Sequence, residues 1–505
     1  MPPIFEQILT GLILAMAIAW LALKAHRTGI STALLITMAV YSAVGIYRAT
    51  VIESTVKEMT QSNLTDSREQ SLRLVTAAAE LFDGTNKSST PSPFAELVSQ
   101  YKSAADYDLS HVKDSTPATV SYQLIVRQSM GKSISDQLNW LKENKTTDGP
   151  ALAKDLSAIY GDDQQPAAQT EEDLKKRLNK SWYQEQALED LYKKSNQTEK
   201  YDQLQTYQHN RNTALIWRLV GIFATVILSV LIGVVVLIVL AVDTWRKRQK
   251  SAELSAAAND TEIKARFEPK LVVGITLAYI SFKVLLRNLF HDSFVGFYSA
   301  TQNLWLVTLG LMVLFIVFNG WPIAYLYFRV VKSQKIGFLD GFRLHMSTAA
   351  IGRVKMVFNG FLSFFAMLPF LAWVGLVQSL LRLPVSANPI QKLETTIAHS
   401  SDIAAIGGMF LLVAVIGPLI EELICRAFLY SALRQKFSIS VSVFVSSVFF
   451  TVLHFDPSSS LALMTFGIVF ALATERFKSI VPAFIAHCLW NGSLFTVSLL
   501  LTRNL

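Results

Sequence analysis

The stretch "AVIGPLIEELICRAFLYSALRQKF" (414–437) has the composition of a membrane span, with three charged side chains near its middle. Most of its residues are Ile, Leu, Val, Ala and Phe, yet Glu421, Glu422 and Arg426 interrupt them. On insertion scales, a charged side chain at the centre of a membrane helix costs ~2.5–3.5 kcal/mol. Charges retained at that cost usually serve a function, so the stretch predicts a helical membrane protein and the position of its chemistry.

The composition of the whole chain supports a membrane protein. Its 505 residues are 51% hydrophobic and 17% charged. Residues 51–213 hold 19 Lys and Arg against 24 Asp and Glu, whereas the remainder holds 27 against 14. This asymmetry is typical of membrane topology, with basic loops on the cytoplasmic side, and argues against nucleic-acid binding. The 2 cysteines, Cys425 and Cys488, are too few for a disulfide framework.

Apolar runs long enough to cross about 30 Å of hydrocarbon recur along the chain. They predict an all-α, polytopic membrane protein with about ten spans. The runs lie at 7–24, 30–47, 216–242, 271–290, 303–328, 356–381, 402–433, 437–455, 459–474 and 479–500. The run 402–433 is too long for one straight crossing, and Gly417 with Pro418 predicts a kink in it.

Basic residues predict the orientation of these spans. Residues 1–7 lack Lys and Arg, whereas Lys24 and Arg27 follow the first apolar run, which is the reverse of a cleaved signal peptide. We therefore expect a retained span with its amino terminus outside. This orientation places residues 51–213 outside and the basic segment 244–250 inside a multi-pass protein of the cell membrane.

Residues 51–213 predict a helical extracytoplasmic domain between spans two and three. The windows 68–82 and 171–194 combine helical periodicity with charged faces. This domain is either a spacer or a sensor or substrate-capturing domain. The chain therefore divides into four parts: two spans in 1–50, the outer domain 51–213, a span with a basic cytoplasmic linker in 214–270, and a membrane core in 271–505.

The charges of 414–437 form one pair and leave one carboxylate without a local partner. Residues four apart share a helix face, so Glu422 and Arg426 can neutralise each other. Glu421 points about 100° away and needs partners from neighbouring helices. One candidate is His454, which closes the apolar part of "VFFTVLHF" (448–455), with Phe450 one turn earlier on the same face.

The last apolar run supplies a second polar face. In "FIAHCLWNGS" (484–493), His487 and Asn491 are four residues apart. Counting about 1.5 Å per residue from the basic cytoplasmic ends, we expect both to meet Glu421 and His454 in the middle or outer half of the bilayer. Polar contacts do occur between membrane helices, but four such groups at one place indicate chemistry rather than packing.

These four residues have the properties that hydrolysis of a carbonyl compound requires. Glu421 beside His454 can hold and deprotonate a water molecule. His487 and Asn491 offer two hydrogen-bond donors, as an oxyanion pocket does. The pattern predicts cleavage of a peptide bond without a covalent enzyme intermediate and without a cofactor.

Two alternatives for the chemistry rank lower. Glu421, His454 and His487 are also a possible zinc ligand set, although the His-Glu-x-x-His signature is absent. Cys425 and Cys488 each neighbour a motif residue, but cysteines in such apolar stretches are more simply explained as packing residues.

The motifs resemble those of the CAAX prenyl endopeptidase and bacteriocin-processing (CPBP, or Abi) family of intramembrane proteases. The family pattern is matched by "EELICR" (421–426), "FTVLH" (450–454) and "HCLWN" (487–491), in order and on successive spans. The resemblance implies that Glu421 and His454 activate water, that His487 and Asn491 form the oxyanion pocket, and that Glu422 and Arg426 support the first helix. It covers 400–500 firmly and 271–505 as the whole core.

The resulting prediction is an intramembrane endopeptidase that cleaves a membrane-associated protein or peptide. Many family members are called metalloproteases, whereas the glutamate-plus-water mechanism needs no metal. Bacterial relatives are associated with bacteriocin maturation or immunity, so a non-catalytic immunity or accessory scaffold is one alternative. A membrane sensor is another, because a span, an outer helical domain and a second span follow one another in 30–242.

Overall fold

The computed structural model describes most of the chain, as helices joined by short connections. The described residues are 69, 72–80, 93–110, 115–161, 166–178, 181–253, 265–268, 271–272, 274–284, 303–344, 350–380, 397, 400, 402–454 and 459–502. No strand occurs among them, so the predicted all-α class is confirmed. The chain divides into two compact units, one within 57–223 and one from Ala224 onward.

The first unit is a cluster of short helices. Residues 72–80 are helical. They are followed by α1 (Pro93–Ser110), α2 (Pro117–Ser129), α3 (Ser135–Glu143), α4 (Asp148–Tyr160), α5 (Thr170–Arg177), α6 (Trp182–Lys194) and the beginning of α7 (Thr198–Glu253). Two helices begin at residues whose side chains accept a backbone N–H, Thr116 for α2 and Ser181 for α6.

A continuous apolar core holds the short helices together. Leu124 and Ile125 of α2 and Leu156 of α4 are fully buried in it. The rings of Tyr122 and Tyr183 stack with their centroids 4.4 Å apart, which joins α2 to α6. The amphipathic windows of the sequence therefore fold into helices that bury one face and expose the charged one.

The second unit contains six helices that are long and apolar enough to cross a membrane. They are α7, α9 (Leu304–Gln334), α10 (Ala350–Leu380), α11 (Ile403–Arg434), α13 (Ser460–Phe477) and α14 (Val481–Thr502). Two shorter apolar helices, α8 (Gly274–Val284) and α12 (Ile439–Val452), fall on predicted spans. The first two predicted spans, 7–24 and 30–47, lie outside the described residues. The count of about ten spans is therefore not confirmed.

Helix α11, which carries the charged stretch, has an irregular backbone. Two segments are π-helical, Leu412–Ile416 and Leu423–Tyr430. The first lies directly before Gly417 and Pro418, where a proline ring would clash with the carbonyl of a regular turn. The π-helical turns rearrange that hydrogen-bond ladder, and such turns are frequent at functional sites. A kink at Gly417 and Pro418 stays a prediction.

Small residues bring the helices around α11 close together. A Cβ on Gly467 of α13 would lie 2.6 Å from the Cβ of Ser447 on α12, and one on Gly360 of α10 would lie 2.6 Å from Ile485 on α14. The core formed between these helices includes Ile424 of α11 and Phe450 of α12. Close packing of α12, α13 and α14 fixes the side chains that face α11.

Candidate active site

Three of the four predicted catalytic side chains meet at one point. The Nε2 atom of His454, just after α12, lies 3.7 Å from Oε2 of Glu421 on α11. The Nε2 atom of His487 on α14 lies 3.8 Å from the same oxygen. Both distances are too long for a direct hydrogen bond, but a water molecule could contact the carboxylate and either imidazole.

The two imidazole rings are held by their other nitrogen atoms. Nδ1 of His454 lies 2.8 Å from the carbonyl oxygen of Phe450, and Nδ1 of His487 lies 3.0 Å from Oε1 of Glu422. A carbonyl or an ionised carboxylate can only accept, so in each ring Nδ1 carries the hydrogen. When neutral, each ring therefore presents an Nε2 lone pair towards Glu421.

The pair predicted between Glu422 and Arg426 is present and fully buried. Nη1 of Arg426 donates to Oε1 of Glu422 at 3.0 Å, and the two side chains are 1% and 0% exposed. The guanidinium also lies over the ring of Phe450, 4.4 Å from its centroid, and over that of Phe470 at 5.3 Å. Glu422 thus links Arg426 to His487 and removes two charges from contact with lipid.

Aromatic rings fix the orientation of His487. Phe470 of α13 stacks on its imidazole with the ring centroids 5.0 Å apart, and Phe450 meets its edge at 5.8 Å. Phe450 also packs against His454, at 4.8 Å. The predicted supporting residue Phe450 therefore touches both imidazoles and the guanidinium.

Asn491 lies on α14 one turn beyond His487. Its Nδ2 donates to the carbonyl oxygen of Val413 at 3.0 Å. Val413 belongs to the π-helical segment Leu412–Ile416, where the regular hydrogen-bond ladder is interrupted. One amide hydrogen of Asn491 is used in this contact, and the second remains for another acceptor.

The sequence reading missed a polar cluster on α8 and α9. The hydroxyl of Tyr279 donates to Oδ1 of Asn319 at 2.8 Å, and the ammonium of Lys283 lies 5.8 Å from the centroid of the Tyr279 ring. Of these residues, Lys283 carries the charge opposite to that of Glu421, and the two charges attract each other. A single lysine in the apolar run 271–290 was a signal that could have found this cluster.

The choice between a metal-free site and a zinc site stays a prediction. Among the residues that the structure describes, no group of three His, Cys, Asp or Glu side chains is already arranged around a metal position. Glu421, His454 and His487, the ligand set of the zinc alternative, nevertheless face one point. Both cysteines are free thiols, with Cys425 buried and Cys488 half-buried.

The helices and the polar cluster between them define a multi-pass helical membrane protein with a partly buried Glu–His site. Residues 404–493 match the family of type II CAAX prenyl endopeptidases described as Rce1-like. This segment contains Glu421, His454, His487 and Asn491. The resemblance drawn from the three sequence motifs is therefore confirmed over this segment.

One curated relative carries the name of a peptidase. Over 111 residues the chain is 31% identical to the "Putative membrane peptidase YdiL" of Bacillus subtilis (strain 168). The similarity covers 22% of this chain and 46% of that protein, so the chain spans about half the length of the relative that it matches. No solved structure matches the chain.

Proposed function

We propose that the protein is an intramembrane endopeptidase that hydrolyses a peptide bond of a membrane-associated protein or peptide. The observation that carries the proposal is the meeting of Glu421 with the Nε2 atoms of His454 and His487, 3.7 and 3.8 Å away, among apolar helices. A water held there contacts the Glu421 carboxylate and an imidazole, so Glu421 can act as the general base that makes the water a nucleophile. The similarity of residues 404–493 to prenyl endopeptidases supports the same chemistry.

In the proposed reaction, Glu421 takes a proton from the water that it holds together with His454. The water oxygen forms a bond to the carbonyl carbon of the substrate, and the carbonyl oxygen becomes an oxyanion. When this tetrahedral intermediate collapses, the carbon–nitrogen bond breaks and Glu421 passes the proton to the leaving nitrogen. The products are a carboxylic acid, which ionises, and an amine, and the protein forms no covalent bond.

His487 and Asn491 are proposed to stabilise the oxyanion. Asn491 has one amide hydrogen left after its bond to Val413. His487 can donate from Nε2 only when both of its nitrogens carry hydrogen, and the Glu422 carboxylate, which accepts from Nδ1, orients the ring for that contact. In this mechanism Glu422 and Arg426 are positioning residues, because they act through His487.

The proposal assigns no metal or other cofactor. If zinc were used, Glu421, His454 and His487 would be the ligands. A zinc chelator, 1,10-phenanthroline, is therefore expected to leave cleavage unchanged. Loss of cleavage that added zinc restores would overturn the metal-free mechanism.

The arrangement in the cell is also proposed. Residues 271–505 form the protease core, residues 1–50 and 214–270 contribute further spans and a basic cytoplasmic linker, and residues 51–213 lie outside the cell membrane. This orientation follows from the basic segments near the helix ends. The partners are the lipid bilayer and a membrane-associated substrate, and none is a nucleic acid.

A second candidate function is a membrane sensor or a non-catalytic immunity or accessory scaffold. The observation that favours a sensor is the folded helical unit within 57–223, which is larger than a connecting loop needs to be. A scaffold, by contrast, has no need for a carboxylate facing two imidazoles.

A paired proteomic comparison tests the proposal. Membranes of cells expressing the wild type would be compared with Glu421→Gln and His454→Ala at equal protein levels, by mass spectrometry of newly formed protein termini. Loss of the general base is expected to slow cleavage about 10²–10⁴-fold, so fragments appear in the wild type alone. Ser493→Ala is the matched control, because Ser493 is exposed on α14 and bonds only within that helix.

If both variants yield the same fragments as the wild type, the protease proposal is wrong. If no sample yields fragments and both variants retain a cellular phenotype, the scaffold function is supported instead.

A further inference from the structure

The helical unit within 57–223 contains a polar cleft far in sequence from the Glu–His site. Its volume is about 590 Å³, and four helices, α1, α2, α4 and α6, contribute to its walls. Charged and hydrogen-bonding side chains dominate the lining. Among them are Lys102, Gln128, Tyr160, Asp190, Lys193 and Lys194.

Two of the three lysines already have partners. Lys193 forms an ion pair of 2.6 Å with Glu189 on its own helix, and Lys194 donates to the carbonyl oxygen of Gly161. Lys102 differs from them. Within the described part of the chain no carboxylate lies at ion-pair distance from its ammonium, which instead lies 5.8 Å from the centre of the Trp182 ring.

Lys102 is half-buried, so its ammonium is partly removed from water without an ion-paired carboxylate among the described residues to compensate for the lost hydration. Burial lowers the pKa of Lys102, and the negative charges of Asp190 and Glu189 counteract this effect in part. A partly desolvated ammonium gains free energy when it donates a charge-assisted hydrogen bond to an anion. The cleft therefore presents a cation prepared for a carboxylate.

Asp190 supplies the opposite charge on another wall of the cleft. Burial raises the pKa of Asp190, whereas the hydroxyl of Tyr160, which donates to its Oδ2 at 3.1 Å, lowers it. Asp190 and Lys102 attract each other electrostatically but do not form an ion pair. Because both side chains line the same cleft, a molecule with a negative and a positive group can meet a charge of opposite sign at each.

We propose that this cleft binds a zwitterionic ligand, a free amino acid or a short peptide, with its carboxylate on Lys102 and its ammonium on Asp190. Gln128 lines the cleft and its amide can donate a further hydrogen bond to the ligand. The volume is at the lower to middle part of the range of small-molecule sites, about 300–1,000 Å³. This site is separate from the proposed function and does not depend on it.

The test uses the full-length protein in lipid nanodiscs. Equilibrium dialysis against the twenty free amino acids, and against a random tripeptide library with free termini, is followed by mass spectrometry of the retained compounds. We expect one or more compounds to be retained saturably. Their C-terminal amides and N-acetyl derivatives should bind at least about tenfold more weakly, because each lacks one of the two charges.

Protein variants locate the binding. Lys102→Met and Asp190→Asn are expected to weaken retention about tenfold or more. Lys154→Met removes an exposed lysine of α4 outside the cleft and should have no effect. Glu421→Gln should also have no effect, which separates this site from substrate binding in the membrane. Retention of no compound, or equal binding of the amidated and acetylated forms, would overturn the proposal.

Discussion

At the scale of single residues, the buried pair of Glu422 and Arg426 connects the stability of the molecule to its chemistry. Oε1 of Glu422 accepts hydrogen bonds from the guanidinium of Arg426 and from Nδ1 of His487. In the described residues, Oε2 of Glu422 and Nε of Arg426 are buried without a hydrogen-bond partner. One hydrogen bond and the attraction of the two charges hold the pair, and its loss should alter the position of His487.

We predict that Arg426→Met destabilises the protein strongly, by about 3–5 kcal/mol, because Glu422 is left as an unpaired buried charge. The double variant Glu422→Gln with Arg426→Met should recover part of that stability, since neither charge remains. Thermal unfolding of the purified protein measures both effects. A double variant that is as unstable as the two single variants combined would contradict this account.

Lys283 is the residue whose role the structure adds to the site. The ammonium of Lys283 lies over the ring of Tyr279, and the hydrogen bond from Tyr279 to Asn319 fixes that ring. The positive charge of Lys283 attracts the Glu421 carboxylate. We predict that Lys283→Met lowers kcat about tenfold, or roughly 1.4 kcal/mol in the barrier, with little change in KM. The readout is cleavage of a substrate identified by the proteomic comparison.

Lys283→Arg serves as the control for this prediction. Arginine keeps the positive charge, so it should restore most of kcat if charge is what matters. A methionine variant with wild-type kcat would show that Lys283 does not act on Glu421. Equal loss in both variants at unchanged thermal stability would point to a steric role instead.

At the scale of secondary structure, some features could be predicted and others could not. The apolar runs were predicted to be helical, and every run that the structure describes carries a helix. This could be predicted because the apolar composition of a span is a property of a single segment. The π-helical segments of α11 could not be foreseen, since they depend on the backbone response to Pro418 and to neighbouring helices. Spacing also found Glu422 with Arg426, which lie on one helix, but not the bond between Tyr279 and Asn319, which joins two helices.

A carboxylate on α5 joins that helix to α7 within the first unit. Oε1 and Oε2 of Glu171 accept from Lys175 and Lys200, each at 2.6 Å. Burial alone would raise the pKa of Glu171, but hydrogen bonds from Lys175, Lys200 and Tyr192 lower it to about 2. A lowered pKa means that the ionised form stabilises the fold. This stabilisation is present above the unfolded pKa, about 4.3, and disappears as the pH falls towards 2.

We predict that Glu171→Gln lowers the free energy of local opening of α5 at pH 7 by about 1 kcal/mol. The value is modest because Lys175 and Lys200 are both half exposed. At pH 3 the difference from the wild type should be smaller. Amide hydrogen exchange followed by mass spectrometry measures the opening. Glu172→Gln removes an exposed neighbouring carboxylate and is the control. An effect of Glu171→Gln that does not change with pH would contradict the assignment.

At the scale of the whole molecule, the orientation in the membrane decides what each unit can meet. The site is built from α11, α12 and α14, and the loops and helix ends near them carry basic residues such as Arg434 and Lys478. Because basic segments tend to remain in the cytoplasm, we predict that the unit within 57–223 faces the outside of the cell. A ligand bound by that unit would then come from outside the cell.

We predict this orientation from charge alone, and labelling of single cysteines tests it. With Cys425 and Cys488 replaced by alanine, Lys145→Cys in the first unit should react with a membrane-impermeant maleimide in intact cells. Lys332→Cys at the end of α9 should react only after the membrane is permeabilised, because the positive-inside rule keeps that basic end in the cytoplasm. Both side chains are exposed, so burial does not limit either reaction. The reverse labelling pattern would move the helical unit into the cytoplasm and would leave its cleft open only to cytoplasmic amino acids and peptides.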